Sequence, residues 1–288
     1  MNKDLTLVFS SYQSHKLLEK LIRKFSNKYR IIIIENSCDY EIKKKFSNLK
    51  KKIEVIIPVK NLGLAKSYNL GIKKAKTNLV FLNNPDIEIS NKSIIQLIKY
   101  AKKIRKFGVI APNYKNNKIF KNYEIFNKKK IPSALFEKLN IIEVDHIDNS
   151  FIIDKRNLNN NLFDENFFLY FETSDFIAKL KKRHKKILIA KKITFHHYGS
   201  KSVPEEYSNL VKKTRAYHYN WSKFYYYKKN YNFIYGLKAI IPNLAKSIVK
   251  IFFGLIKFDI KAVKLSLLEM YGIISSIIGL RSSYRPKN

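Results

Sequence analysis

The chain of 288 residues holds one cysteine, Cys38, eight glycines, and only 22 acidic residues against 57 lysines and arginines. A lone thiol excludes an intrachain disulfide and a cysteine-based zinc site. No uncharged apolar run approaches the ~20 residues of a bilayer-spanning helix. The apolar run within MNKDLTLVFSSY is too short for a secretory signal. A reducing, cytoplasmic setting is therefore expected. No GxGxxG follows a strand and no Gly-Lys-Ser/Thr follows a glycine loop, which disfavours a Rossmann dehydrogenase and a phosphate-loop nucleotidase. SSYQSHKLL also lacks the Gly-rich, basic signature of a nucleotidyltransferase.

What is abundant is positive charge. The formal net charge of +35 favours anionic partners such as phosphorylated substrates, acidic lipid or nucleic acid. Part of it is compositional drift, since Lys, Ile and Asn are common throughout. The aromatic-rich YHYNWSKFYYYKKNY would suit base stacking. However, no nucleic-acid-binding module is present and the lysines run through the whole chain, so no nucleic acid is expected.

Short apolar runs alternate with helical patterns over the first hundred residues. Strands are expected at Leu5–Phe9, Ile31–Ile34, Val55–Ile57 and Leu79–Leu82, with helical stretches between them. That alternation predicts an α/β fold with a mainly parallel sheet flanked by helices. Polar segments follow the strand ends, at Ser10–Gln13, Glu35–Asp39 and Asn83–Asp86, where ligands bind in such sheets. Further strands are expected near Val109, Phe151 and Ile187. Residues 113 to 135 read as a loop-rich excursion. A helix is expected to start near Thr173 or Ser174, either of which could cap it, and another to run from Glu205 to Tyr231.

Four features carry candidate chemistry. Glu172 and Asp175 are three apart at a loop-to-helix junction and would share one helical face. Asp86, in NNPD after a strand, could bind a hard divalent cation that in turn binds phosphate oxygens, or could belong to an Asn-Pro-Asp turn. In NLGLAKSYNLG, Gly63 permits close backbone approach, and Asn61 and Asn69 could hydrogen-bond a ligand or tie the loop down. In HHYGSKS, His197 with Gly199 and Ser202 makes a small polar site suited to a metal or a diphosphate.

In order along the chain, LTLVFSSYQ, IIENSCD, NLGLAKSYNLG, FLNNPD, FDENFFLYFETSDFIAK and HYGSKS resemble the motifs of the inverting family-2 glycosyltransferases, especially the bacterial rhamnosyltransferase-like branch. The likeness covers roughly residues 4 to 225. It implies a GT-A (nucleotide-diphospho-sugar transferase) fold and sugar transfer from a nucleoside-diphosphate sugar, such as dTDP-rhamnose or a UDP-sugar. The acceptor would be a glycan or lipid-linked hydroxyl in cell-surface polysaccharide synthesis. By the same likeness Ser10, Tyr12, Glu35, Asn61, Gly63, Asn69, Asn84 and His197 fall on the nucleotide-sugar side. Asp86 and His197 would hold Mg²⁺ or Mn²⁺. Glu172 matches an acid of the motif that includes the catalytic base, with Asp175 second. The chain departs from the pattern at Thr173, where relatives often place the base, at Lys179 for Arg, at Glu35 for Asp, at Gln13 for Asn, and at Asp148 and Asn149. A degenerate, non-catalytic GT-A protein is the alternative reading.

Residues 1–231 are expected to form the transferase domain and 232–288 a basic helical tail. The tail has nine lysines and arginines against two acids. On one continuous helix, Lys246, Lys250, Lys257, Lys261 and Lys264 would share a sector of about 60° opposite Leu244, Ile248, Ile251, Phe252 and Leu255. Such a helix would lie on an anionic membrane surface, placing the protein peripherally at the inner face of the cell membrane.

Overall fold

Every residue of Ile31–Glu35, in RIIIIE, is buried, as expected of a strand covered on both faces of a parallel sheet. This is β2 (Arg30–Glu35), and it lies between β1 (Leu5–Ser11) and β3 (Ile53–Ile56), parallel to both. The computed structural model describes residues 4–47, 53–114, 121–126, 134–148, 150–158, 162–198 and 203–285.

Between these strands run α1 (His15–Phe25) and α2 (Glu41–Ser47), and α3 (Gly63–Lys74) leads to β4 (Leu79–Asn83). In α1 the spacing of Leu18, Leu21, Ile22 and Phe25 turns one apolar stripe inward. β5 (Ile87–Ile89) follows, then α4 (Asn91–Ile104), whose start is capped by the Ser90 hydroxyl accepting from Ser93 N–H at 3.0 Å. The chain continues through β6 (Val109–Tyr114), β7 (Tyr123–Glu124), α5 (Ala134–Leu139), β8 (Ile141–Glu143), β9 (His146–Ile147) and β10 (Phe151–Asp154). After α6 (Glu172–Lys182) and β11 (Ile187–His197) come three helices, α7 (Ser208–Asn230), α8 (Phe233–Ile256) and α9 (Ile260–Ile277).

The main sheet runs β3-β2-β1-β4-β10-β6-β11-β5, with β8 on β11, and β7 and β9 form a separate ribbon. Its first four strands are parallel, whereas β10 is antiparallel to both β4 and β6, and β5 and β8 are antiparallel to β11. The sheet is therefore mixed, parallel where the polar motifs follow the strand ends.

The chain divides into two compact units. The first, Met1–Leu62, Lys66–Phe163 and Phe176–Val203, holds the sheet and its core. The second, Gly63–Ala65, Asp164–Asp175 and Pro204–Asn288, is helical. Within it, the tail is not one helix. Residues Lys257–Asp259 interrupt it, Phe258 takes a positive φ of 53°, and the Asp259 carboxylate accepts from Ala262 N–H at 2.9 Å to start α9. Lys246 and Lys250 therefore belong to one helix and Lys261 and Lys264 to another. The single 60° sector expected from the sequence does not form, because an aspartate N-cap restarts the backbone.

Candidate functional site

In the sheet unit, the ends of β1, β2 and β4 gather the polar motifs. β1 separates β2 from β4, which is the switch point where ligands sit outside the strand ends. Asn36 knits this edge together. Its backbone N–H donates to the Ser11 carbonyl at 2.8 Å, its side-chain amide donates to Ser67 Oγ at 3.0 Å, and its Oδ1 accepts from Leu62 N–H at 3.0 Å. One asparagine thus fixes the first strand end, the second, and the segment entering α3. Nothing in its spacing distinguished it from the other asparagines of the chain.

Glu35, fully buried, accepts through Oε1 from Gln13 N–H at 3.3 Å and Ser37 N–H at 3.1 Å. Its Oε2 has no partner among the described residues, and neither do the buried hydroxyls of Ser11 and Ser37. Gln13 and Cys38 flank it with positive φ of 53° and 62°, a conformation that persists only where surrounding contacts demand it. A buried carboxylate oxygen without a donor is costly, so Glu35 Oε2 is a candidate acceptor for a ligand that donates a hydrogen bond. Ser10 is half-buried at the same strand end and receives the Asn36 amide at 3.3 Å. Tyr12, also half-buried, follows it.

The two asparagines of the α3 loop are placed differently. Asn69 is buried and clamps the Phe163 backbone, donating to its carbonyl and accepting from its N–H, each at 2.9 Å. Tying the loop down, one of the two roles open to it from sequence, is thus visible in the fold. Asn61 is half-buried. Asn84, in the NNPD segment, accepts from the Tyr68 hydroxyl at 2.8 Å, which leaves its amide nitrogen toward other partners.

Asp86 and His197 meet. β5 begins directly after NNPD and pairs antiparallel with the end of β11, His197 opposite Ile87. Tyr198 N–H also donates to the Asp86 carbonyl at 3.0 Å. That register sets His197 Nε2 3.2 Å from Asp86 Oδ2, with Asp86 buried and His197 part-exposed. The Tyr114 ring stacks on the imidazole, centroids 5.6 Å apart and planes 18° apart. Burial, then the charges of Asp148 and Asp86, push the Tyr114 hydroxyl well above its ordinary range. One carboxylate and one imidazole fit a divalent cation that takes its remaining ligands from diphosphate oxygens and water. Among the described residues no third His, Cys, Asp or Glu joins them. Gly199 and Ser202, expected beside His197, lie outside the described residues, as does Asn149.

In the helical unit the first turn of α6 carries the acidic pair. The helix starts at Glu172 itself, one residue before the expected cap. The two preceding residues, Tyr170 and Phe171, hold positive φ of 69° and 61°, an unusual strain for aromatic residues. Glu172 is buried, and the Thr173 hydroxyl approaches its Oε1 at 3.4 Å. Tyr170 beside it titrates high, mainly through burial. Asp175 is fully buried and engaged at both oxygens, accepting from Lys229 Nζ at 2.8 Å and Asn230 Nδ2 at 3.1 Å. Lys229 also reaches Asp164 at 2.5 Å. Burial alone would raise the Asp164 carboxyl, but Lys229, the Asn166 N–H and Tyr225 outweigh it and hold it low. Lys229 was not foreseen, since one lysine among many on α7 carries no local signal.

Gly63 shows why that position is a glycine. Its φ is +74°, and a Cβ there would lie 2.3 Å from the Phe168 carbonyl oxygen, which accepts from Leu64 N–H at 2.8 Å.

The family model described as Glycosyl transferase family 2 matches residues 7–188. No curated protein matches the chain. Among solved structures, GalNAc-T7 with UDP, GalNAc and Mn²⁺ is similar at TM-score 0.55 and 13% identity, over 84% of this chain and 57% of that one. TarS of S. aureus is similar at TM-score 0.52 and 13% identity, over 99% of this chain and 56% of that one. The chain therefore spans somewhat over half the length of each of these two neighbours. At that identity they establish the GT-A-like fold, and the family match, over more than half the chain, establishes the rest: this protein belongs to glycosyl transferase family 2.

Proposed function

We propose that the chain transfers a sugar, with inversion, from a nucleoside-diphosphate sugar to a hydroxyl of a glycan or lipid-linked acceptor. The observation that carries this reading is the Asp86–His197 pair at the carboxyl edge of the sheet. Glu35, Ser11 and Ser37 add unpartnered oxygens at the ends of β1 and β2 in the same sheet. In this reading Glu35 Oε2 accepts from the nucleobase, with Ser10 and Tyr12 beside it, and Asn61 and Asn84 serve the donor. Asp86 and His197 would hold Mg²⁺ or Mn²⁺. When bound, the cation supplies charge that stabilises the departing nucleoside diphosphate.

Inversion needs one base to take the acceptor proton and no covalent enzyme intermediate. Glu172 is the residue we assign to that role. Asp175 already commits both oxygens to Lys229 and Asn230, which suits it to holding the turn. A dTDP-rhamnose or UDP-sugar donor, a role in cell-surface polysaccharide synthesis, and action at the inner face of the cell membrane complete the reading. The test is calorimetric titration of the protein with UDP, dTDP and GDP, each with and without Mn²⁺. Metal-dependent binding of one nucleotide is expected and identifies the donor class. Absence of binding by all three would count against the reading.

A further inference from the structure

The last two helices invert the usual distribution of side chains. The α8 residues turned into the helical unit are Gly236, Ile240, Ser247 and Gly254. Ile240 packs inward on Phe224 and Ile273, with Leu237 and Leu244 beside it, but many large apolar residues point away: Ile241, Ile248, Phe252, Leu255 and Ile256 are 52–61% exposed. In α9 the inward residues are Ser266, Gly272, Ile273, Ser275 and Ser276, while Ile260 and Leu267, and Ile278 just past its end, are 52–65% exposed. Small residues bring the backbones together. A Cβ on Gly254 would lie 2.8 Å from Val263 Cγ2, and one on Gly272 would lie 2.4 Å from the Tyr217 carbonyl oxygen. Charge is paired between the two helices, where the half-buried Glu269 on α9 accepts from Lys250 Nζ at 2.8 Å and Ser247 Oγ at 2.7 Å on α8. Small and paired polar groups inward with bulky apolar groups outward is the packing of helices whose surroundings are hydrocarbon. A water-facing helix has the opposite arrangement.

We propose that the outward face of α8, continued by that of α9, lies in the acyl boundary of an anionic lipid bilayer, with the helix axes along the surface. α8 is long and apolar enough to cross a membrane by length and composition. Crossing, however, would put Lys246 near the bilayer centre. On the α8 wheel the exposed Lys238 sits about 55° and Lys246 about 135° from the middle of the stripe set by Ile241, Ile248, Phe252, Leu255 and Ile256, so Lys238 borders the stripe, where its stem can follow it to the headgroups, and Lys246 faces away from the acyl chains. Lipid fits this face better than a second copy of the chain does. A symmetric pairing would bring together two tails of the same sign, since residues 232–288 carry nine basic residues against two acids. Anionic headgroups complement that charge.

This inference stands on the helical unit alone and involves neither nucleotide nor sugar, so it fails independently of the transferase reading. The experiment uses the full chain with vesicles of phosphatidylcholine, with and without phosphatidylglycerol. Flotation is expected with the anionic vesicles and weaker with the neutral ones. In the Phe252→Trp variant, lipids brominated on the acyl chain should quench the new fluorophore. The Ile248→Asp/Phe252→Asp pair should weaken flotation about tenfold or more with an unchanged far-UV dichroism spectrum. Three results would overturn the proposal. One is flotation unaffected by the double substitution. Another is flotation abolished by high salt with no quenching in the Phe252→Trp variant, which means electrostatic adsorption only. The third is no flotation but a concentration-dependent oligomer that the double substitution dissociates, which assigns the face to a second copy. The quenching readout decides the matter even if the double variant does not fold.

Discussion

His197 Nε2 stands 3.2 Å from Asp86 Oδ2, across 111 residues of sequence. The approach is built by register. β5 starts immediately after the NNPD turn and pairs with the last residues of β11, so the strand ladder delivers the imidazole to the carboxylate. A histidine and an aspartate that are individually ordinary become a hydrogen-bonded pair through that register.

Removing either partner should therefore act on the same quantity. Asp86→Ala and His197→Ala are each expected to weaken Mn²⁺-dependent nucleotide binding, with the folded state retained. Loss of one charge-assisted contact corresponds to about 2 kcal/mol, or roughly thirtyfold in Kd. Calorimetry with and without metal checks this. Binding equal to that of the parent protein in Asp86→Ala would take Asp86 out of the mechanism.

The two acids of α6 should separate by phenotype. Glu172→Gln is expected to abolish transfer while nucleotide affinity is unchanged. Asp175→Asn should act on stability, because it strips charge from a carboxylate buried against Lys229 and Asn230. The cost expected is on the order of 2–4 kcal/mol, moderated by Asp164, which still pairs with Lys229. Thermal unfolding and turnover of both variants distinguish the roles. If Asp175→Asn alone kills turnover in a protein of parental stability, the base has been assigned to the wrong residue.

Gly63→Ala should destabilise by about 2 kcal/mol or more. An alanine there must hold φ near +74° and place its Cβ 2.3 Å from the Phe168 carbonyl. A thermal midpoint indistinguishable from the parent would show that the loop relaxes freely.

Stability should also fall on acidification through His218. This side chain is buried between the Ser282 hydroxyl and the Tyr284 carbonyl, each at 2.8 Å. A carbonyl only accepts, so Nε2 carries the proton and Nδ1 accepts from Ser282. Burial, assisted by the Arg285 charge, drops the His218 pKa from near 6.5 to about 3. The unfolded chain therefore binds a proton that the folded one refuses. The contribution is fully present above pH 6.5 and is lost as pH falls from there toward 3, at up to about 1.4 kcal/mol per pH unit. Denaturant titrations at pH 7 and pH 5 should show a shallower pH dependence in His218→Gln than in the parent. Equal slopes would place the acid sensitivity elsewhere.

The sequence by itself determined the alternation of strands and helices, the parallel half of the sheet and the family. These depend on periodicity and on motifs at strand ends, which are local properties repeated along the chain. The run of four isoleucines in β2 could only be a strand buried on both faces, and polar residues after each strand could only fall on one edge. The tertiary structure decided what local pattern does not encode. It drew Asp86 to His197 through one strand register, occupied Asn69 with the Phe163 backbone, and paired Asp175 with Lys229 on a distant helix. It also broke the tail at Asp259, so that five lysines imagined on one stripe are not held on a single helix. The tail break is local, an aspartate N-cap at Asp259, and the physical reason is common to the other three. A side chain's partner is fixed by how distant segments pack, and a lysine or asparagine in a chain rich in both looks the same in sequence whether it faces water or a buried carboxylate.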